Sequence, residues 1–248
     1  MAIFDDLEAE QRRLANILAG LDEGQWASPS AAAGWTVADV VLHLAQSEEA
    51  VVASAVGLTV GSPAGLADRP ADLTVDQFAE QSVRAERAEA GQVLRRWRTA
   101  STAAVAALRA ADPQQPLRWV EAPLKPATLA TTRLAEHWAH GLDITGPLGI
   151  AFPDTPRLRN IAWLAHRTLP YAFALAGQQP PEVSCELTAP DGTSLWRYGP
   201  PGADSAITGP AGAFCRVAVR RLAADQSGLH VTGPHGAAAL GFLRTYAA

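Results

Sequence analysis

The apolar residues of this chain fall into helical stripes for its first 150 positions and then change period. Between residues 3 and 20, Phe4, Leu7, Leu14, Ile17 and Leu18 recur among charges at the spacing of an amphipathic helix. Asp22 to Gly34 is rich in Ser, Pro and Gly and reads as a loop. Thr36 followed by Asp39 is a capping-box pair, which predicts a second helix running to about Val56. Gly57 to Leu73, with Pro63 and Pro70, is the longest irregular connection. Thr74 with Gln77 repeats the capping signal, and the helical region that follows extends to Ala111, with Gly91 the point at which it can break. Asp112-Pro113 ends it. Gln114 to Pro126 is a second loop, holding Trp119 and Glu121, and a helix over about 127–144 follows. Four helical regions joined by loops of moderate length predict an antiparallel four-helix bundle.

Residues 155–177 continue as a fifth helix interrupted at Pro170. Val183 to Thr188 then alternates like a half-buried strand, with Thr193 to Tyr198 as its hairpin partner across Asp191-Gly192. Pro210 and Pro234 stand where helices can start. The expected class is α+β: a helical bundle over 1–178 and a small C-terminal α/β domain over 181–248, divided at Gln178-Gln179-Pro180-Pro181.

A chain of 248 residues can bury a sizeable core without staples. Its net charge of −5 and lack of a basic tract exclude a phosphate-backbone binder, so no nucleic-acid partner is expected. Lys125 is the only lysine, and with abundant alanine this marks GC-rich coding DNA. Cys185 and Cys215 form neither a CxxC motif nor a disulfide framework and read as small buried apolar residues of a reducing compartment. The early acids of the N-terminus do not resemble a signal peptide, and no apolar run reaches membrane length. The expectation is a soluble cytoplasmic protein, monomer or homodimer, with a small-molecule substrate and no membrane partner.

The chemistry concentrates in two helical segments. One is Gly34-Trp35-Thr36-Val37-Ala38-Asp39-Val40-Val41-Leu42-His43-Leu44, and the other is Arg133-Leu134-Ala135-Glu136-His137-Trp138-Ala139-His140-Gly141-Leu142-Asp143. A helix turns about 100° per residue, so Glu136 and His140 project within about 40° of each other. Taken singly, His43 reads as a hydrogen-bonded core histidine and Glu136/His140 as an i,i+4 surface pair. Their apolar surroundings favour a metal, because buried imidazoles and a carboxylate need compensation. Two histidines and one glutamate leave a coordination position open, the pattern of a catalytic rather than a structural site. Asp143 is placed to hold a ligand from outside or to serve as a fourth ligand. His137, about 100° away, lies outside the ligand set. Glu48 or Glu49 offers a general base, against the plainer reading of a solvated pair.

These two segments resemble the DinB-like metal-binding bundles, most closely the mycothiol-dependent maleylpyruvate isomerase group and its two-domain actinobacterial relatives. The resemblance spans nearly the whole chain. It implies a metal held by one histidine of the second helix and a Glu/His pair of a later one, here His43, Glu136 and His140. It also implies mycothiol, or a similar thiol, as cosubstrate.

Other motifs carry less. Ser184 and Ser205 lack a G-x-S-x-G setting, and neither a G-x-G-x-x-G nor a Walker A motif is present. His166, His230 and His235 have no partners at ligand spacing, and His235 is expected on the surface. Arg216, Arg220 and Arg221 form a cationic stripe on the helix expected after Pro210. Arg220 and Arg221 are the candidates for binding an anionic substrate, against a merely solvated face. The expected function is therefore a divalent-metal enzyme, with zinc first and nickel or iron as alternatives, using a low-molecular-weight thiol as isomerase or S-transferase. A metal-dependent hydrolase and a non-catalytic metal or small-molecule binding protein are the competing readings.

Overall fold

The structure is a computed structural model that describes residues 2–57, 69–70, 72–120 and 122–245. Most of the connection expected from Gly57 to Leu73, and Glu121, lie outside the described residues. Two compact units divide the chain, Met1–Phe152 and Pro153–Ala247.

The first unit is helical: α1 Ala2–Ala19, α2 Glu23–Ala27, α3 Val37–Ala55, α4 Val75–Ala85, α5 Ala90–Ala110 and α6 Pro126–Thr145. Both expected capping boxes form. Thr36 accepts from the Asp39 amide while Asp39 accepts from the Thr36 amide, and Thr74 and Gln77 repeat the exchange. A third box, between Asp22 and Gln25, starts the short α2 inside the segment expected to be a loop. The helical region from 74 to 111 is two helices, because the chain leaves helical geometry between Ala85 and Ala90. Arg87 in that break reaches back to Asp39 with two hydrogen bonds of 2.8 and 2.9 Å.

Paired side chains fix the helix directions. Glu48 meets Arg133 and His43 faces Glu136 and His140, so α3 and α6 are antiparallel. Arg109 reaches Asp5 and Glu8 while Arg98 reaches the Ala15 carbonyl, so α1 and α5 are antiparallel too. Asp39 with Arg87 and Glu49 with Arg96 rise together, which makes α3 and α5 parallel neighbours. The connection through α4 is long enough to return the chain to the end of the bundle from which α3 starts. The core between these helices is apolar, with Leu14, Val41, Leu44, Val93, Trp97 and Ile144 all at 2% exposure or less. Burial of this kind, at roughly 25 cal/mol per Å² of apolar surface, is what holds the helices together.

The second unit begins with α7 Leu158–Arg167 and α8 Leu169–Leu175, interrupted as expected ahead of Pro170. It continues through strands β1 Val183–Thr188, β2 Leu195–Tyr198 and β3 Ser205–Pro210, helix α9 Ala211–Ala218, strand β4 His230–Thr232 and helix α10 Gly236–Phe242. The sheet order is β2-β1-β3-β4. β1 and β2 form the expected hairpin, with Cys185 opposite Tyr198 and Thr188 opposite Leu195. β3 joins β1 in parallel and β4 closes the sheet antiparallel to β3. Helix α7 packs on α9, and α8 on α10, so the contacts group these helices with the sheet. The compact division thus falls ahead of the Gln178–Pro181 punctuation. That punctuation marks a change of secondary structure, whereas the unit is defined by what α7 and α8 pack against.

The cationic stripe expected on the helix after Pro210 is not one face. Helix α9 ends at Ala218, and Arg220 lies beyond it with φ of 61°. The Arg221 amide bonds back to the Arg216 carbonyl, and its guanidinium donates to the Val219 carbonyl. Arg216 faces elsewhere, making two 2.8 Å bonds to Asp154. Gly212 leaves room for this pair, because a Cβ there would sit 1.9 Å from Asp154 Oδ2 and would displace the carboxylate. The helix stops early because Arg220 turns the backbone into the left-handed region.

Candidate metal centre

His43, from the second turn of α3, meets Glu136 and His140 of α6. One ligand atom from each lies within 4.8 Å of the others. His140 Nε2 stands 3.5 Å from Glu136 Oε2. A tetrahedral ion with bonds of about 2.1 Å holds its ligand atoms about 3.4 Å apart, so the spacing suits a divalent metal. The donors are two imidazole nitrogens and a carboxylate oxygen, with further positions left for exogenous ligands. His43 and Glu136 are half-buried and His140 is buried.

The surroundings prepare each donor. Asp143, 1% exposed, accepts from His140 Nδ1 at 2.9 Å, so the Nδ1 proton is held and Nε2 faces the cluster. Asp143 is therefore bound to a member of the set and is not one of the three. Burial disfavours the charged form of His140, but the bonds to Asp143 and Glu136 outweigh it and raise its pKa above the usual 6.5. Burial also opposes ionisation of Glu136; the bond from His140 and the charges of His140, Arg133 and His43 prevail and hold it below the ordinary carboxylate range. His43 goes the other way. Burial first, and then the neighbouring charge of His140, lower its pKa to about 3, leaving a neutral imidazole with a free lone pair.

Trp35 is the site residue that sequence reasoning passed over. Gly34, with φ of 79°, turns the chain ahead of α3, and the Trp35 carbonyl accepts from the Ser30 hydroxyl at 2.8 Å. The Ala31 amide bonds to the Asp143 carbonyl at 2.9 Å, tying this loop to the end of α6. The indole then lies 5.1 Å from the His43 ring and 6.4 Å from the His140 ring. The signal was the Gly-Trp pair just before the capping box, where a large aromatic has no helical face to pack on.

The remaining candidates separate from the cluster. His137 donates from Nδ1 to the Arg133 carbonyl at 2.9 Å and accepts from Trp97 Nε1 at 3.2 Å. Both nitrogens are committed to the neutral ring, and burial lowers its pKa. Neither Glu48 nor Glu49 is a solvated carboxylate. Glu48 is fully buried against Arg133, and Glu49 makes two bonds, of 2.7 and 2.8 Å, to Arg96. Cys185 and Cys215 are free and buried, and burial raises the Cys185 thiol to about 12. His235 is exposed. Among the described residues no helix is long and apolar enough to cross a membrane.

A helical bundle with a His/Glu/His cluster between two of its helices, followed by a small unit built on a four-stranded sheet, defines the class of protein. The chain belongs to the mycothiol maleylpyruvate isomerase N-terminal domain family, whose match runs over residues 7–145 and contains all three cluster residues. Two relatives, uncharacterized proteins from two strains of Mycobacterium tuberculosis, are each 34% identical over 239 residues, covering 92% of this chain and 88% of theirs. Crystal structures of the mycothiol-dependent maleylpyruvate isomerase and of a histidine-to-alanine mutant superpose with TM-scores of 0.61 and 0.62. Each comparison covers 93% of this chain and 91% of that one, at 14% identity. The fold is shared across both units, and the DinB-like bundle resemblance holds.

Proposed function

We propose that this chain is a divalent-metal-dependent enzyme that uses a low-molecular-weight thiol of the mycothiol kind on a small electrophilic substrate, as an isomerase or S-transferase. The observation that carries this reading is the convergence of His43, Glu136 and His140 inside an apolar bundle. Zinc suits this borderline nitrogen and oxygen set, with nickel or iron as the alternatives. A metal held there supplies Lewis acidity, lowering the pKa of a thiol or water that enters a remaining position.

The protein's own residues do the rest. His43 presents a neutral lone pair, and Asp143 keeps the His140 proton on Nδ1. Glu136 stays ionised and partly neutralises the ion. Trp35 forms an aromatic wall against both imidazoles, which keeps water from that side. The sulfur nucleophile comes from outside, since both cysteines are buried and burial raises their pKa values. Free cysteines and an exogenous thiol both suit a reducing cytoplasm. The maleylpyruvate isomerase that shares this fold suggests a small unsaturated acid as substrate, and in the second unit Arg220 and Arg221 are the residues proposed to bind an anionic substrate.

The test is metal analysis of the native protein, followed by turnover of a panel of unsaturated acids and other electrophiles with and without added thiol. Bound divalent metal and thiol-dependent turnover are expected. Turnover without thiol would replace this reading with hydrolysis, and metal binding without turnover on any substrate would leave a binding protein. A purified protein that neither holds nor takes up a divalent metal would refute the proposal.

A further inference from the structure

One buried polar group is left unexplained by the cluster itself. Arg133 Nε donates to Glu48 Oε1 at 2.9 Å, with side chains only 4% and 0% exposed. Among the described residues, the pairs Arg87–Asp39, Arg96–Glu49 and Arg216–Asp154 are bidentate and retain some exposure, and the singly bonded Arg197–Glu186 pair is exposed. The most buried pair makes a single bond, and Glu48 Oε2 and Arg133 Nη2 have no hydrogen-bond partner among the described residues. A buried ion pair with orphaned atoms is a poor source of stability, since well-packed apolar residues of similar volume would do as well or better. Its use must lie elsewhere.

Its position supplies that use. Glu48 lies five residues beyond His43 on α3, and Arg133 lies three before Glu136 and seven before His140 on α6. At 1.5 Å per residue the pair sits about 7.5 Å along the bundle axis from the cluster, on the same two helices. The contact extends to α5, because His137 Nδ1 is 3.6 Å from Glu48 Oε1 and its Nε2 accepts from Trp97. Apolar helix faces such as Val40, Leu44 and Leu134 tolerate small slides and repacking. A metal set tolerates about 0.2 Å. A directional bond between α3 and α6 supplies the axial register that apolar packing leaves loose.

We infer that Glu48 and Arg133 are positioning residues, a buried clasp that fixes the register of α3 against α6 and so sets the distance from His43 to Glu136 and His140. This rests on the metal reading above. The experiment compares wild type with the apolar double variant Glu48→Leu/Arg133→Met. It measures melting temperature, zinc affinity by competition with a chromophoric chelator, and the visible spectrum of the cobalt(II)-loaded protein. The double variant is expected to melt at or above the wild-type temperature, yet to bind zinc about 10–100-fold more weakly with an altered cobalt spectrum. A merely structural pair would move the melting temperature and leave affinity and spectrum in place. Wild-type affinity and an unchanged spectrum in the double variant would overturn the clasp while sparing the metal site; failure of the wild type to bind zinc or cobalt would overturn both. If the double variant does not fold, the neutral pair Glu48→Gln/Arg133→Met decides on the same readouts, because it removes the ionic bond between the helices without leaving a buried charge unpaired.

Discussion

Removing the Asp143 carboxylate is the sharpest test of how the cluster is prepared. In Asp143→Ala the His140 Nδ1–H loses its 2.9 Å acceptor in a place that is 1% exposed. The ring then has no reason to keep its proton on Nδ1, and part of the population turns or changes tautomer, withdrawing the Nε2 lone pair. Partners of this kind are worth about 10–100-fold in metal affinity, or about 1.4–2.7 kcal/mol. Asp143→Asn keeps an acceptor oxygen and the shape but loses the charge, so its loss should be smaller than that of the alanine variant. Zinc competition titrations on the three proteins, with circular dichroism to confirm the helices, measure both. Wild-type affinity in Asp143→Ala would refute the role given to this carboxylate. A loss as large as that of His140→Ala would make Asp143 a ligand in its own right.

His140→Ala itself should abolish metal retention while the bundle stays helical, since the fold rests on its apolar faces; full metal content in that variant would move the site elsewhere. Proton competition predicts a pH dependence. The folded pKa of His140 is raised above 6.5, so its stabilisation of the metal-free protein is complete below 6.5 and is lost as pH rises through the raised value. Metal must displace that proton, so zinc affinity should fall about tenfold per pH unit below the folded pKa of His140, and a flat profile there would exclude the coupling. His43, neutral down to about 3, adds no competition in that range. In the second unit, Gly212→Ala should break the Asp154–Arg216 pair and cost about 1–2 kcal/mol in thermal unfolding. Added to Asp154→Ala it should cost little more, and full additivity would mean that the glycine acts through something else. Arg220→Gly should stabilise by about 1 kcal/mol by relieving its left-handed backbone; a raised KM for an acidic substrate in the same variant would support the substrate role proposed for it, and unchanged kinetics would withdraw it.

The features legible in the sequence are those that near neighbours along the chain carry. The capping boxes at Thr36/Asp39 and Thr74/Gln77, the hairpin across Asp191-Gly192 and the break before Pro170 all arise within a few residues. So does the shared face of Glu136 and His140, which the helical repeat alone imposes. Tertiary structure decided whatever depends on a distant partner. The direction of α3 against α5, the burial of Glu48 on Arg133, and the placement of Trp35 against two imidazoles are each set by residues far away in the chain. So is the meeting of His43 with the α6 pair, which exists only because α3 packs antiparallel on α6. Even the end of α9, local as it is, was not legible, because Arg220 accepts a backbone conformation in which glycine is the usual signal. Short-range hydrogen bonds and periodicity write themselves into composition and spacing. The packing of one helix on another selects among many pairings of equally apolar faces, and that selection is made only when the chain folds.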